Sequence, residues 1–265
     1  MSSPVDGFFL LAGALALACA GMLVLYLLQR RWNEADVVDF GWSAGIGLAT
    51  VGYAVLANGY PLRRGLIAVM VTGWSFRLAI YLLRDRVLRA GEDTRYRELR
   101  SRWGARAQSY FLLFFLFQAL LVVVFTIPPL VAMGARVQAL GIWDALGAAV
   151  WFVALAGESA ADRQLARFRA RPESRGKTCR EGLWRYSRHP NYFFEWVHWW
   201  AYVVIGWRAP FGWLTLLGPA LMLLFLYKVT GVPIAERRAL ETRPDYRDYQ
   251  RTTSAFIPWP PRTKS

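Results

Sequence analysis

The chain has 265 residues, is 55% hydrophobic with thirteen Trp, and still carries a formal net charge of +14. A soluble domain of this length buries a core with far less apolar content. Because the basic residues alternate with apolar blocks, the charge points to a membrane protein and away from nucleic-acid binding. Cys19 lies in an apolar run and Cys179 in a basic loop, so neither a disulfide framework nor a metal centre is expected.

A hydrocarbon core about 30 Å thick needs roughly 20 apolar residues of helix, since backbone polar groups in lipid must be satisfied internally. In chain order, the qualifying stretches are residues 7–28, 38–57, 65–83, 110–133, 140–157, 192–207 and 211–227. The first is too long for a signal-peptide core and no small-residue cleavage site follows it, so it is read as a retained span. The sixth is the shortest; it contains Glu195 and His198, and Pro210 separates it from the seventh.

Loop charge sets the orientation. Residues 84–109 hold eight Arg, residues 162–191 hold nine Lys/Arg, the tail from Lys228 holds eight, and Arg30 and Arg31 follow the first span. The alternate loops hold only Arg63, Arg64, Arg136 and Arg208, and Arg77 lies within the third span. Seven spans put every basic loop on one side. The expected fold is therefore all-α and polytopic, with about seven transmembrane helices, the N-terminus outside and the C-terminus cytoplasmic. No internal repeat or soluble appendage is visible, so residues 1–265 form one membrane domain.

Ionisable groups at membrane depth are costly and mark candidate sites. Asp36 and Asp39 open the second span, Arg77 lies in the third, Glu158 and Asp162 end the fifth, and Glu195 and His198 lie in the sixth. Each alone reads as a snorkelling side chain or a structural pair, such as Arg77 with Asp36. Together they fall in the cytoplasmic half, and one polar cavity open to the cytoplasm accounts for all of them. The basic loops also contain acids, Asn and Tyr, as in Gly91-Glu92-Asp93-Thr94-Arg95-Tyr96 and Tyr186-Ser187-Arg188-His189-Pro190-Asn191-Tyr192. Arg suits phosphate oxygens, carboxylates suit ribose hydroxyls and aromatic rings stack on bases, a mixture that fits a nucleotide cofactor. Gly45-Ile46-Gly47 is a lone GxG inside a span with no strand before it, so a Rossmann site is not expected.

The segment Gly182-Leu183-Trp184-Arg185-Tyr186-Ser187-Arg188-His189-Pro190-Asn191-Tyr192-Phe193-Phe194-Glu195 resembles the C-terminal half of the steroid 5α-reductase family. The tail continues the likeness with Glu236-Arg237-Arg238, Pro244-Asp245-Tyr246 and Phe256-Ile257-Pro258, and the match is strongest over 158–261. The Gly91–Tyr96 loop resembles that of the bacterial membrane branch of the superfamily. The resemblance implies NADPH-dependent reduction of the Δ4 double bond of a 3-oxosteroid or similar lipophilic enone, in the bacterial inner membrane. It places cofactor contacts at Arg77, Glu158, Asp162, Arg169, Lys177, Arg188, His189, Asn191, Tyr192, Glu195, Arg238 and Tyr246. It places the catalytic pair at Asp36, with Ala35 where the family has Gln, and at Trp74, where the family has Tyr. An enone accepts hydride only if the developing enolate oxygen is stabilised, and a protonated acid or an indole N–H meets that need. The expected partners are the enone substrate and membrane lipid. The His189-Pro190-x-Tyr192 element, with Glu236, Arg237 and Tyr249 in the tail, also resembles isoprenylcysteine carboxyl methyltransferases, which use S-adenosylmethionine. Phe193 and Phe194 stand where those enzymes have Gly. A non-catalytic lipid-binding or transport protein is the third reading.

Overall fold

The computed structural model describes residues 4–88, 91–135 and 137–262; Arg89, Arg136 and Lys264, counted above among the loop charges, lie outside them. The described residues form helices and no strand, with an isolated parallel bridge between Ser187 and Ser254. Among the described residues, five helical stretches are long and apolar enough to cross a membrane: Gly7–Trp32, Pro61–Leu82, Thr94–Met133, Ile142–Arg169 and Gly212–Thr242. The expected second and sixth spans are helices too, but fall outside those five. The sixth forms a helix of 17 residues, about 25 Å at 1.5 Å per residue and so short of the hydrocarbon thickness. The second is diluted by Asp39, Ser43, Thr50 and four glycines.

The chain divides into two compact units, each made of two segments. The first comprises Met1–Gly141 and Gly206–Leu217. Its helices are α1 (Pro4–Trp32), α2 (Val37–Leu56), α3 (Pro61–Leu82), α4 (Thr94–Trp103) and α5 (Ala107–Met133). α1 leaves Phe8, Phe9, Leu17 and Leu27 exposed, as a lipid-facing helix does. α2 packs on α3 and α5, and α1 on α5. Helices in lipid gain little from hydrophobicity and depend on close packing and interhelical hydrogen bonds. The α2–α3 seam follows this rule: Ser43 Oγ donates to the Ser75 carbonyl at 2.8 Å, Ser75 Oγ donates back to the Ser43 carbonyl, and Gly47 leaves room for Ser75. Gly59 turns the chain into α3 with φ +152°, where a Cβ would strike the Met133 carbonyl. Beyond α3 the chain passes through a π-helical turn, Leu83–Val87, and Asp93 then caps α4 by accepting the Arg95 N–H at 2.9 Å.

The second unit comprises Ile142–Ile205 and Gly218–Ser265. It carries α6 (Ile142–Arg169), α7 (Pro190–Gly206), α8 (Leu217–Leu224), α9 (Val232–Thr242) and α10 (Tyr246–Thr252). α6 and α7 run antiparallel in close contact. A Cβ at Gly147 would overlap Ile205 and the Ala201 carbonyl, and one at Gly157 would overlap the Phe194 ring. The apolar stretch through α8 ends in a π-helical turn, Phe225–Val229, and the more polar α9 follows it. Residues 254–259 then lie extended along the 186–188 segment. Arg188 N donates to the Ser254 carbonyl at 2.8 Å and Trp259 N to the Tyr186 carbonyl at 2.9 Å.

Candidate functional site

Most of the expected cofactor residues converge in the second unit. Pro190 opens α7 at the position where its missing N–H costs nothing. In the first turn, Asn191 Oδ1 accepts the Tyr192 N–H at 3.0 Å, and Asn191 Nδ2 reaches across to α6 and donates to Asp162 Oδ1 at 3.2 Å. With Gly157 against Phe194 one turn further along, the antiparallel register sets Glu158 and Glu195 at one level of the seam. Both are buried, at 7% and 8% exposure. One more turn along α7, His198 Nε2 and the Tyr202 hydroxyl lie 2.8 Å apart, fully enclosed. Among the described residues no His, Cys, Asp and Glu side chains group as a metal site requires.

Arg188 and His189 belong to a second cluster beside the first turn of α7. Arg188 Nε donates to Glu236 Oε1 at 2.7 Å, and its Nη1 donates to the carbonyls of Thr253 (2.7 Å) and Gln250 (3.0 Å). Gln250 Nε2 donates to the other Glu236 oxygen at 2.7 Å. His189 Nε2 lies 3.3 Å from Glu236 Oε1, and its ring stacks flat on Tyr192, centroids 5.3 Å apart. Burial pushes the His189 imidazole below its ordinary value, against the raising effect of Glu236. Burial works against the Glu236 carboxylate, but its bonds from His189, Arg188 and Gln250 hold it at about 2. A neutral His189 bearing its proton on Nε2, facing an ionised Glu236, satisfies both. Tyr246 is buried in the same cluster; burial and the Glu236 charge push its phenol upward. Tyr249 donates to the carbonyls of Trp184 and Ser187, which ties α10 to the segment before α7.

The remaining expected cations of this unit, Arg169, Lys177 and Arg238, are exposed. Sequence reading missed Arg243, at the C-terminus of α9. Burial, then the positive charge of Arg169, holds its guanidinium below the ordinary value, with Tyr246 and Asp245 opposing. Two guanidiniums close enough to repel each other make a locus suited to an anion. Glu236, the hub of the second cluster, was noticed only as part of a tail motif. Its signal was Glu236-Arg237-Arg238 at the spacing of the family tail.

The first unit carries Asp36, Trp74 and Arg77. Asp36 is buried at the N-cap of α2, and its Oδ2 accepts the Asp93 N–H at 3.0 Å. Trp74 is fully buried, edge-on to Trp42 at 6.2 Å between centroids. The Gly91–Tyr96 loop turns its acids and cations onto its own unit. Glu92 accepts from the Ala35 N–H (2.9 Å) and from Arg100 on both oxygens (2.6 and 3.1 Å). Asp39 accepts from Arg95 (2.9 Å) and from the Tyr96 hydroxyl (2.7 Å). The mixture that reads as nucleotide chemistry in sequence is, in this loop, a clasp. Glu92 and Arg100 were not singled out by sequence reading; a Glu eight residues before an Arg carries no pattern that marks a buried pair.

The fold and clusters define an all-helical protein with several membrane-length apolar helices and a buried polar seam. Residues 25–253 match the family described as "protein of unknown function (DUF1295)", and the chain belongs to that family. The family is related to steroid 5α-reductase-like membrane proteins. No curated protein and no solved structure gives a significant match.

Proposed function

We propose that this chain reduces the Δ4 double bond of a 3-oxosteroid or similar lipophilic enone with NADPH. In this reading it is a seven-span protein of a bacterial inner membrane with its C-terminus in the cytoplasm. The observation that carries the reading is the Asn191–Asp162 hydrogen bond, with Glu158 and Glu195 buried one turn along the same two helices. The 5α-reductase resemblance implies cofactor contacts at these four positions, and a single unit gathers them.

The chemistry of the donor set fits the cofactor. Asn191 and the carboxylates of α6 and α7 suit ribose and amide groups, and the mutually repelling Arg169 and Arg243 suit a phosphate. Exposed Lys177 and Arg238 add positive charge for a 2′-phosphate. NADPH, when bound, supplies the hydride. The chain's own part is to bind and orient, to exclude water, and to hold a proton on Asp36 for the substrate's carbonyl oxygen, where negative charge grows. Incubating purified protein with NADPH and a Δ4-3-ketosteroid should yield the saturated ketone. Failure to form it with NADPH demonstrably bound would remove this substrate class.

One observation favours a second reading. His189 and Glu236, one from each of the two elements that resemble isoprenylcysteine carboxyl methyltransferases, meet at 3.3 Å. Tight S-adenosylmethionine binding without dinucleotide binding would choose that reading. The topology has its own test: cysteines placed at Ser101 and at the C-terminus should resist a membrane-impermeant label added from outside, and labelling of both would reject the seven-span orientation.

A further inference from the structure

A groove of about 570 Å³ in the second unit borders the second cluster at Arg188, Gln250 and Thr253 and is otherwise lined by residues of neither cluster. One wall is the last apolar stretch, through Leu223 and Tyr227; the other is the extended tail, through Phe256, Ile257 and Trp259. Ile257 and Trp259 are 58% and 67% exposed, an unusual place for large apolar side chains in a tail that is itself fastened down. The fastening is firm: Ser187 Oγ donates to the Phe256 carbonyl at 2.8 Å, Trp259 N to Tyr186, and Arg262 N to the Thr252 carbonyl at 2.9 Å. The groove is thus built into the fold.

Its charge is one-sided. The lining includes Arg188, Arg251 and Arg262 and no carboxylate. Arg188 is engaged by Glu236 and two carbonyls, whereas Arg251 and Arg262 are exposed and make no side-chain hydrogen bond or ion pair among the described residues. Lys228 stands beside Tyr227, its Nζ 5.5 Å from the ring centre. An apolar trough that begins on a membrane-length helix and ends at two uncompensated guanidiniums matches an amphiphile with a negative head. The volume lies in the range of small-molecule sites; it accommodates a glycerophosphate head with the first methylenes and leaves the chains to the bilayer.

We propose that this groove binds the headgroup region of an anionic phospholipid, with its phosphate at Arg251 and Arg262 and its first methylenes against Tyr227, Ile257 and Trp259. The site is independent of the reductase reading and is tested without NADPH or turnover. Full-length protein in mild detergent is titrated with phosphatidylglycerol or phosphatidylcholine of identical chains, and bound lipid is counted by native mass spectrometry. Phosphatidylglycerol should be retained about tenfold better, the scale of one to two favourable basic contacts at a membrane surface. The double variant Arg251→Gln/Arg262→Gln should fall to the phosphatidylcholine level. Trp259→Ala should weaken both lipids. The charge-matched control Arg163→Gln/Arg167→Gln, at exposed positions of α6, should keep the preference. Equal retention of the two lipids, or equal loss in the control, would overturn the site. So would displacement by glycerol 3-phosphate at concentrations equal to the lipid's, since that would make it a site for soluble phosphate.

Discussion

The two units each contain a cluster of Arg, carboxylate and aromatic side chains, and the clusters differ in what they leave over. In the first unit, Glu92, Asp93, Asp39, Arg95, Arg100 and Tyr96 are engaged with one another and with the start of α2. In the second, Arg188, His189, Glu236 and Gln250 are likewise engaged, but burial and the charge of Arg169 hold the Arg243 guanidinium below its ordinary value in spite of Tyr246 and Asp245. In so basic a chain, the presence of an Arg beside a carboxylate says little about ligands; what distinguishes a binding position is positive charge that the fold has not answered.

The largest effect should come from breaking the first cluster. The Glu92 side chain is 6% exposed and Arg100 is 19% exposed. Glu92→Ala leaves a half-buried guanidinium and the Ala35 N–H without their acceptor, which should cost about 3 kcal/mol. Arg171→Ala, which removes an exposed pair with Glu181, should cost under about 0.5 kcal/mol. Thermal unfolding in one detergent at one scan rate compares them. Equal shifts would erase the distinction between clasp and surface charge.

Asp36 tests whether the first unit does anything beyond bracing. Its Oδ2 accepts the Asp93 N–H, and the carbonyl oxygen of Asn can accept that same bond. Asp36→Asn should therefore leave unfolding temperature near the wild type. If Asp36 is the acid, turnover should fall by roughly 10²-fold, the scale for losing an oxyanion donor, while NADPH affinity holds. Asn191→Ala and Glu195→Ala should instead weaken NADPH binding. An Asp36→Asn protein that is less stable yet fully active per folded molecule would confine Asp36 to the clasp.

Much of this was legible in sequence. The apolar runs locate most of the helices within a few residues, because lipid leaves the backbone no alternative to internal hydrogen bonding; α6 is the exception, running to Arg169 where the apolar stretch ends at 157. Asn191 and Glu195 are a helical turn apart, so their shared face follows from spacing alone. The pairing of Asp162 with Asn191 does not, since it depends on how closely α6 and α7 approach, which Gly147 and Gly157 permit. Nor could sequence sort the arginines: Arg188 and Arg243 look alike in a string of letters, and only packing gives one a carboxylate and the other a second guanidinium.

The second cluster should impose a pH dependence on stability. His189 is depressed below 6.5 in the folded chain, and Glu236 is held at about 2 against an ordinary 4.5. In both cases the unfolded chain binds a proton that the folded chain resists, so the contribution is complete above pH 6.5 and shrinks as the pH falls. His189 accounts for the loss that begins below 6.5, and Glu236 for the loss between 4.5 and about 2. Unfolding temperature should drop between pH 7 and pH 5 in the wild type and less in His189→Gln. Parallel curves would place the acid sensitivity elsewhere.

The smallest expected effect is also the one that separates the two kinds of arginine. Arg243 is penalised in the folded chain by burial and by Arg169, so its charge is tolerated rather than used by the protein on its own. Arg243→Gln should leave unfolding temperature unchanged or slightly raised, the opposite of what Arg100→Gln should do. If the Arg169–Arg243 locus receives the 2′-phosphate, the same change should weaken NADPH binding by about three- to tenfold and leave NADH nearly untouched, because one partly exposed charge pair contributes about that much. The wild-type preference for NADPH should fall with added salt, as partly exposed charges are screened over about 10 Å at 0.1 M, and the variant should have less preference to lose. Measuring unfolding temperature with and without each dinucleotide on one preparation reads stability and affinity together. A destabilised Arg243→Gln protein with an undiminished NADPH-induced shift would make Arg243 a structural residue like Arg100 and would move the phosphate locus to Lys177 and Arg238.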